Sequence, residues 1–112
     1  MIIALPTVDK QVCMHFGHCQ QFALVEVDDN ERKILNTKYV DAPPHQPGLL
    51  PPWLKEQGAN FIIAGGMGQR AVSIFNANDI EVLIGAPSDT PENLVRAYLD
   101  GNLQTGQNVC DH

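Results

Sequence analysis

Apolar residues in this chain gather in short runs rather than long helical stripes. Ile2-Ile3-Ala4-Leu5 is apolar throughout and is broken at Pro6, which predicts a buried first strand. Phe22 to Val27 is rich in aromatic and β-branched residues and predicts a second strand. The polar turn Asp28-Asp29-Asn30-Glu31 separates it from a third, Ile34 to Val40, where Lys33, Asn36 and Lys38 mark a partly exposed face. Together the three predict an antiparallel meander.

Beyond the Pro- and Gly-rich stretch 43–48 the pattern changes. Pro51-Pro52 suits the first turn of a short helix carrying Trp53, Leu54, Lys55 and Glu56, with Gly58 as its C-cap. Phe61-Ile62-Ile63-Ala64 is another apolar strand, and it runs straight into Gly65-Gly66-Met67-Gly68. A helix follows in which Met67, Ala71, Ile74 and Phe75 share one face. Ile80 to Ile84 predicts a further strand, ended by Gly85-Ala86-Pro87. In Ser88-Asp89-Thr90-Pro91-Glu92, Asp89 or Thr90 can cap a helix, Pro91 fits its first position and Glu92 suits its positive end. That helix buries Leu94, Val95 and Tyr98 and stops at Gly101; residues 102–112 are a polar tail without periodicity. The order β-β-β-α-β-α-β-α predicts an α/β fold in one unit spanning residues 1–112. Its five-stranded mixed sheet carries helices packed on its faces. Right-handed crossovers place the Phe61 strand parallel to a strand of the meander.

Charge narrows the function classes. The formal net charge of the 112 residues is −6, and the seven Lys and Arg residues are scattered. Nucleic acid needs a basic face, so it is not an expected partner. No apolar run approaches the roughly 20 residues of a membrane span, and residues 1–5 lack the basic flank of a signal peptide. A cytoplasmic protein, monomeric or weakly self-associating, is expected. Three cysteines cannot all pair within one chain, and in a reducing compartment they favour metal ligands or free thiols.

The cysteines and histidines supply the candidate chemistry. Cys13-Met14-His15-Phe16-Gly17-His18-Cys19 places two thiols and two imidazoles in one short segment, and Cys110-Asp111-His112 adds one of each at the end of the chain. Thiolate and imidazole suit zinc, copper(I) and iron–sulfur centres and suit calcium or magnesium poorly. Cys13, His15, His18, Cys19, Cys110 and His112 are therefore the candidate metal ligands. The spacing matches neither paired C-x-x-C knuckles nor a Cys₂His₂ finger. Buried inert thiols and a packed loop histidine are the competing reading, and a Cys13–Cys19 disulfide would need an oxidising setting. Extended, residues 101–109 cover about 30 Å, so reach does not prevent the tail from meeting the loop.

Gly65-Gly66-Met67-Gly68 follows a strand and opens a helix, where free amides attract anions. It is neither a P-loop nor G-x-G-x-x-G. The glycines equally suit close packing of the helix on the sheet. In open sheets, however, ligands sit at the carboxyl ends of strands where connections diverge. If the Ile2 and Phe61 strands are parallel neighbours, the Cys/His and glycine loops share one rim.

These residues resemble the dinitrogenase iron–molybdenum cofactor biosynthesis family of small accessory proteins. The resemblance rests on His15-Phe16-Gly17, Phe22, Pro52-Trp53-Leu54 with Gly58, and Ile80-Glu81-Val82 with Gly85. It rests most on Ile63-Ala64-Gly65-Gly66-Met67-Gly68 followed by Arg70-Ala71. It implies a ribonuclease-H-like, three-layer fold and the binding or delivery of iron–sulfur or molybdenum-containing clusters. It also implies partners among cluster-carrier ATPases. Cys13, His18, Cys19 and the Cys110/His112 tail exceed the His-Phe-Gly pattern of many members and look like a Cys-rich subgroup. The expected role is that of an accessory protein and not an enzyme, with zinc or copper as alternative metals.

Two other classes have less support. A metal-dependent nuclease needs clustered carboxylates, and Asp9, Glu26 and Asp79 are scattered. A thiol-redox protein would be expected to carry C-x-x-C, which is absent.

Overall fold

In the computed structural model, which describes residues 1–12, 20–28, 30–42, 50–101 and 103, a mixed sheet is built around its first strand. The strands are β1 (Ile2–Val8), β2 (Gln11–Val12), β3 (Gln21–Asp28), β4 (Lys33–Asp41), β5 (Phe61–Ile63) and β6 (Glu81–Leu83). The helices are α1 (Leu50–Glu56), α2 (Gln69–Ala77) and α3 (Pro91–Leu99). The spatial order is β4-β3-β1-β5-β6, with β2 paired to the far end of β1. β1 is antiparallel to β3 and parallel to β5, as the meander and the crossover rule require.

Side-chain alternation sorts the apolar runs onto two faces. Ile3 and Leu5 of β1, Ala23, Val25 and Val27 of β3, and Phe61 and Ile63 of β5 pack with Leu94 and Val95 of α3. Ala4, Phe22, Leu24 and Ile62 point the other way, toward Leu54 of α1, Met67 and Phe75. Helices thus cover both faces, which is why these strands are apolar through Ile2–Leu5, Phe22–Val25 and Phe61–Ile63. β4 lies at one edge and carries the alternating, half-exposed pattern expected there.

Among the described residues the sheet holds the five expected strands and the two-residue β2, which is added because β1 does not stop at Pro6. Thr7 accepts a hydrogen bond from Gln20, so the odd residues of β1 direct their backbone groups toward β3. Ile2 accepts from Asn60, so the even residues face β5. The N–H that Pro6 lacks would point toward β5. The parallel ladder ends at Ala4 and Ile62, while the antiparallel one continues through Pro6–Phe22 and Thr7–Gln21. β1 then turns back through Asp9 and Lys10, both at positive φ, as a two-residue hairpin into β2.

The helix ends are set locally. Gly58, at φ 88, and Ala59 donate to the Lys55 and Leu54 carbonyls, the paired bonds of a Schellman stop. α2 ends the same way with Asp79 in the left-handed position, at φ 62. α2 begins at Gln69, so Met67 lies just before the helix, although it packs with Phe75 in the same core. Of the two candidate caps for α3, Thr90 is the one used: its Oγ1 accepts from the Asn93 N–H at 3.3 Å, and Pro91 takes the first helical position. Leu94 and Val95 are buried and Tyr98 is half-buried.

Candidate functional site

The connections leaving β1 and β5 part company at their carboxyl ends. β1 leads through β2 to β3 on one side; β5 leads through α2 to β6 on the other. The parallel ladder between them ends at Ala4 and Ile62, so the two connections diverge at this rim, the place where ligands sit in open sheets.

Short hydrogen bonds fix the rim. The Val12 N–H donates to the Asp89 carbonyl at 2.9 Å, and Ser88 Oγ donates to the Val12 carbonyl at 3.4 Å. On the other side the Gln20 N–H donates to Thr7 at 2.9 Å, and the Ala42 N–H to Gln20 at 3.0 Å. The Thr7 hydroxyl is buried and donates to the Gln21 carbonyl at 2.9 Å, locking β1 to β3 where they reach the rim. From β5, the Ala64 N–H donates to Leu83, Gly85 to Gly65 and Ala86 to Ala64, which laces the glycine segment to the loop after β6.

Gly65, Gly66 and Met67 are buried and Gly68 is half-buried. Gly68 is the N-cap of α2 and, having no side chain, leaves the first turn without a side-chain cap. Among the described residues no acceptor pairs with the Gly65 or Gly66 N–H. Donors of this kind suit an anionic ligand.

Asp89 shapes the neighbouring loop. Its carboxylate accepts from Asn93 Nδ2 at 3.0 Å and the Thr90 N–H at 2.7 Å. These bonds, the Asn93 one first, hold its carboxyl below the usual range. Burial, and next the Glu92 charge, push the Tyr39 hydroxyl above its usual value.

The candidate donors Cys13, His15, His18, Cys19, Cys110 and His112 lie outside the described residues, as does His45. Among the described residues no three His, Cys, Asp or Glu side chains converge. The residues flanking segment 13–19 are described: Val12 and Gln20 both stand at the rim that carries Gly65–Gly68. Leu103, near the start of the tail, packs with the α3-side core and lines a hollow with Leu83, the last residue of β6. Thr7, Ser88 and Asp89 were not expected as site residues. Ser88-Asp89-Thr90 reads in sequence only as a helix start, and its bonds to Val12 are long-range. A cleft of about 430 Å³ between Met1, Arg32 and Tyr98 to Gly101 lies at the other end of β1. Among the described residues no helix is long and apolar enough to cross a membrane.

The family described as dinitrogenase iron-molybdenum cofactor matches residues 1–101. An uncharacterized protein of Methanocaldococcus jannaschii is 31% identical over 109 residues, covering 93% of this chain and 90% of its own. The crystal structure of PH0822 is 29% identical with a TM-score of 0.85 and covers 94% of each chain. The apo form of the orange protein from Desulfovibrio gigas is 25% identical with a TM-score of 0.70, over 96% of this chain and 93% of that one.

Proposed function

The chain belongs to the dinitrogenase iron-molybdenum cofactor family, and we propose that it is an accessory protein that binds and hands on a metal–sulfur cluster at the rim between β1 and β5. The cluster is cargo. Cys13, His15, His18 and Cys19 are its proposed donors, joined by Cys110 and His112 from the tail, and the backbone of Gly65, Gly66, Met67 and Gly68 faces its anionic sulfur. Iron–sulfur and molybdenum-containing clusters fit this donor set best. Thiolate binds such metals strongly, and amides at a helix start complement negative charge.

The observation that carries this reading is that the segment holding four soft donors is flanked by Val12 and Gln20, both hydrogen-bonded into the rim where the glycine segment begins. Length also permits the tail to take part: from Leu103, beside the end of β6, the seven residues to Cys110 extend at most about 25 Å. A cluster-carrier ATPase is the proposed partner for loading or delivery.

Anaerobic purification with elemental analysis and an absorption spectrum tests this. The expected protein carries iron or molybdenum with visible thiolate-to-metal absorption, and Cys19→Ser loses both while keeping its far-UV dichroism. Protein free of iron, molybdenum, copper and zinc, and unable to take up a reconstituted cluster, would refute it. Zinc alone, without colour, would redirect the assignment to a structural or regulatory metal.

A further inference from the structure

β4 is a nine-residue strand at the edge of the sheet, whereas the opposite edge, β6, has three residues. Ala42 donates its N–H to Gln20, toward β3. By alternation Val40, Lys38 and Asn36 also face β3, so Thr37, Tyr39 and Asp41 direct their N–H and C=O groups outward. Among the described residues none of these three outward N–H groups has a partner. The register slips between Glu26 and Val27, which leaves Leu35 without a β3 partner. Leu35 is 53% exposed and is the large hydrophobic exposed on this surface among the described residues.

We propose that the β4 edge pairs with the β4 edge of a second copy of this chain, antiparallel about a two-fold axis at Thr37. The choice of axis follows from the residues. The outward groups belong to odd positions, so the axis must pass through a residue, which sets odd positions opposite odd ones and makes hydrogen-bonded pairs. At Thr37 it sets Leu35 against Tyr39 of the second copy, an aliphatic–aromatic pair of the kind that stabilises sheets. It sets Lys38 against Asn36 and brings the Lys33 end of each strand beside the Asp41 end of the other. An axis at Lys38 would oppose like charges, and one at Tyr39 would leave Leu35 beyond the paired segment. Lysines and bulges often protect an edge from pairing. Here the bulge lies at one end, leaving residues 36–41 regular, and the symmetry sets the two Lys38 residues diagonally, not directly opposite. An antiparallel, self-complementary pair closes as a dimer and does not propagate. Leu35 to Tyr39, five residues a side, make a small interface, so the dimer is weak and concentration-dependent.

Sedimentation equilibrium of the full chain, with reductant and chelator present, tests the proposal. The expected mass rises reversibly from 12.3 kDa toward twice that value with concentration. Leu35→Lys, an exposed change, should raise the dissociation constant at least about tenfold. Thr37→Pro removes an outward N–H that an edge strand can spare, and should leave a folded monomer. A monomer at every concentration overturns the proposal, and so does a dimer that both folded variants leave unchanged. Should Thr37→Pro fail to fold, Leu35→Lys alone decides.

Discussion

Gly58 and Asp79 occupy equivalent positions, each just past a helix and each in the left-handed region, at φ 88 and φ 62. Only glycine enters that region without a Cβ clash. At Gly58 a Cβ would also meet Ile2 Cδ1 at 3.2 Å. Gly58→Ala should therefore cost about 1–2 kcal/mol, while Asp79→Gly should gain about 0.5 kcal/mol after the greater freedom of the unfolded chain is allowed for. Urea midpoints at unchanged slope measure both. The pair also shows what was legible at this scale. Gly58 announces a helix stop; Asp79 does not, because nothing in its residue type demands positive φ. Asp9-Lys10 hides the β1–β2 hairpin for the same reason: a two-residue turn normally signals itself with glycine or asparagine.

Elements were legible wherever burial dictated residue type. Every apolar run became a strand or lies beside one, because β1, β3 and β5 are covered on both faces along Ile3–Leu5, Phe22–Val25 and Phe61–Ile63. The continuation of β1 past Pro6 was not legible, since it depends on which neighbour lacks a donor. α3 is the element whose start can be tested most sharply. Thr90 caps it through a neutral hydroxyl, so Thr90→Ala should cost about 1 kcal/mol at any pH. Asp89 acts through charge, its carboxyl held below the ordinary value by Asn93 and then by the Thr90 N–H. A group with a lowered folded pKa stabilises above its unfolded value, near 3.9, and that stabilisation is lost as pH falls through the folded one. The stability gap between the native chain and Asp89→Ala should be constant near neutrality and close below about pH 4, whereas the Thr90→Ala gap persists. Thermal unfolding across pH distinguishes the two.

For the whole molecule, the position of the rim was legible before its contents. Strand order and the direction of β5 locate it, while its hydrogen bonds join residues far apart in sequence, Val12 to Asp89 and Ala64 to Leu83. The candidate thiols and imidazoles were legible as residue types, and their arrangement lies outside the described residues. If a cluster is carried there, its binding must work through the flanking segments. Val12 links β2 to the start of α3, and Gln20 links β3 to β1 and, through Ala42, to the end of β4. Binding between these two points stabilises the folded chain, by about 2.7 kcal/mol at a ligand concentration one hundred times Kd. It should slow local opening there most. Amide hydrogen exchange of the apo and cluster-loaded chain should therefore show added protection at Val12 and Gln20. Val25, deep in the sheet on β3, should change only as much as global stability does. Equal protection at all three would mean that the cluster sits elsewhere, and added protection around Tyr98 and Gly101 would move the site to the cleft at the opposite end of β1.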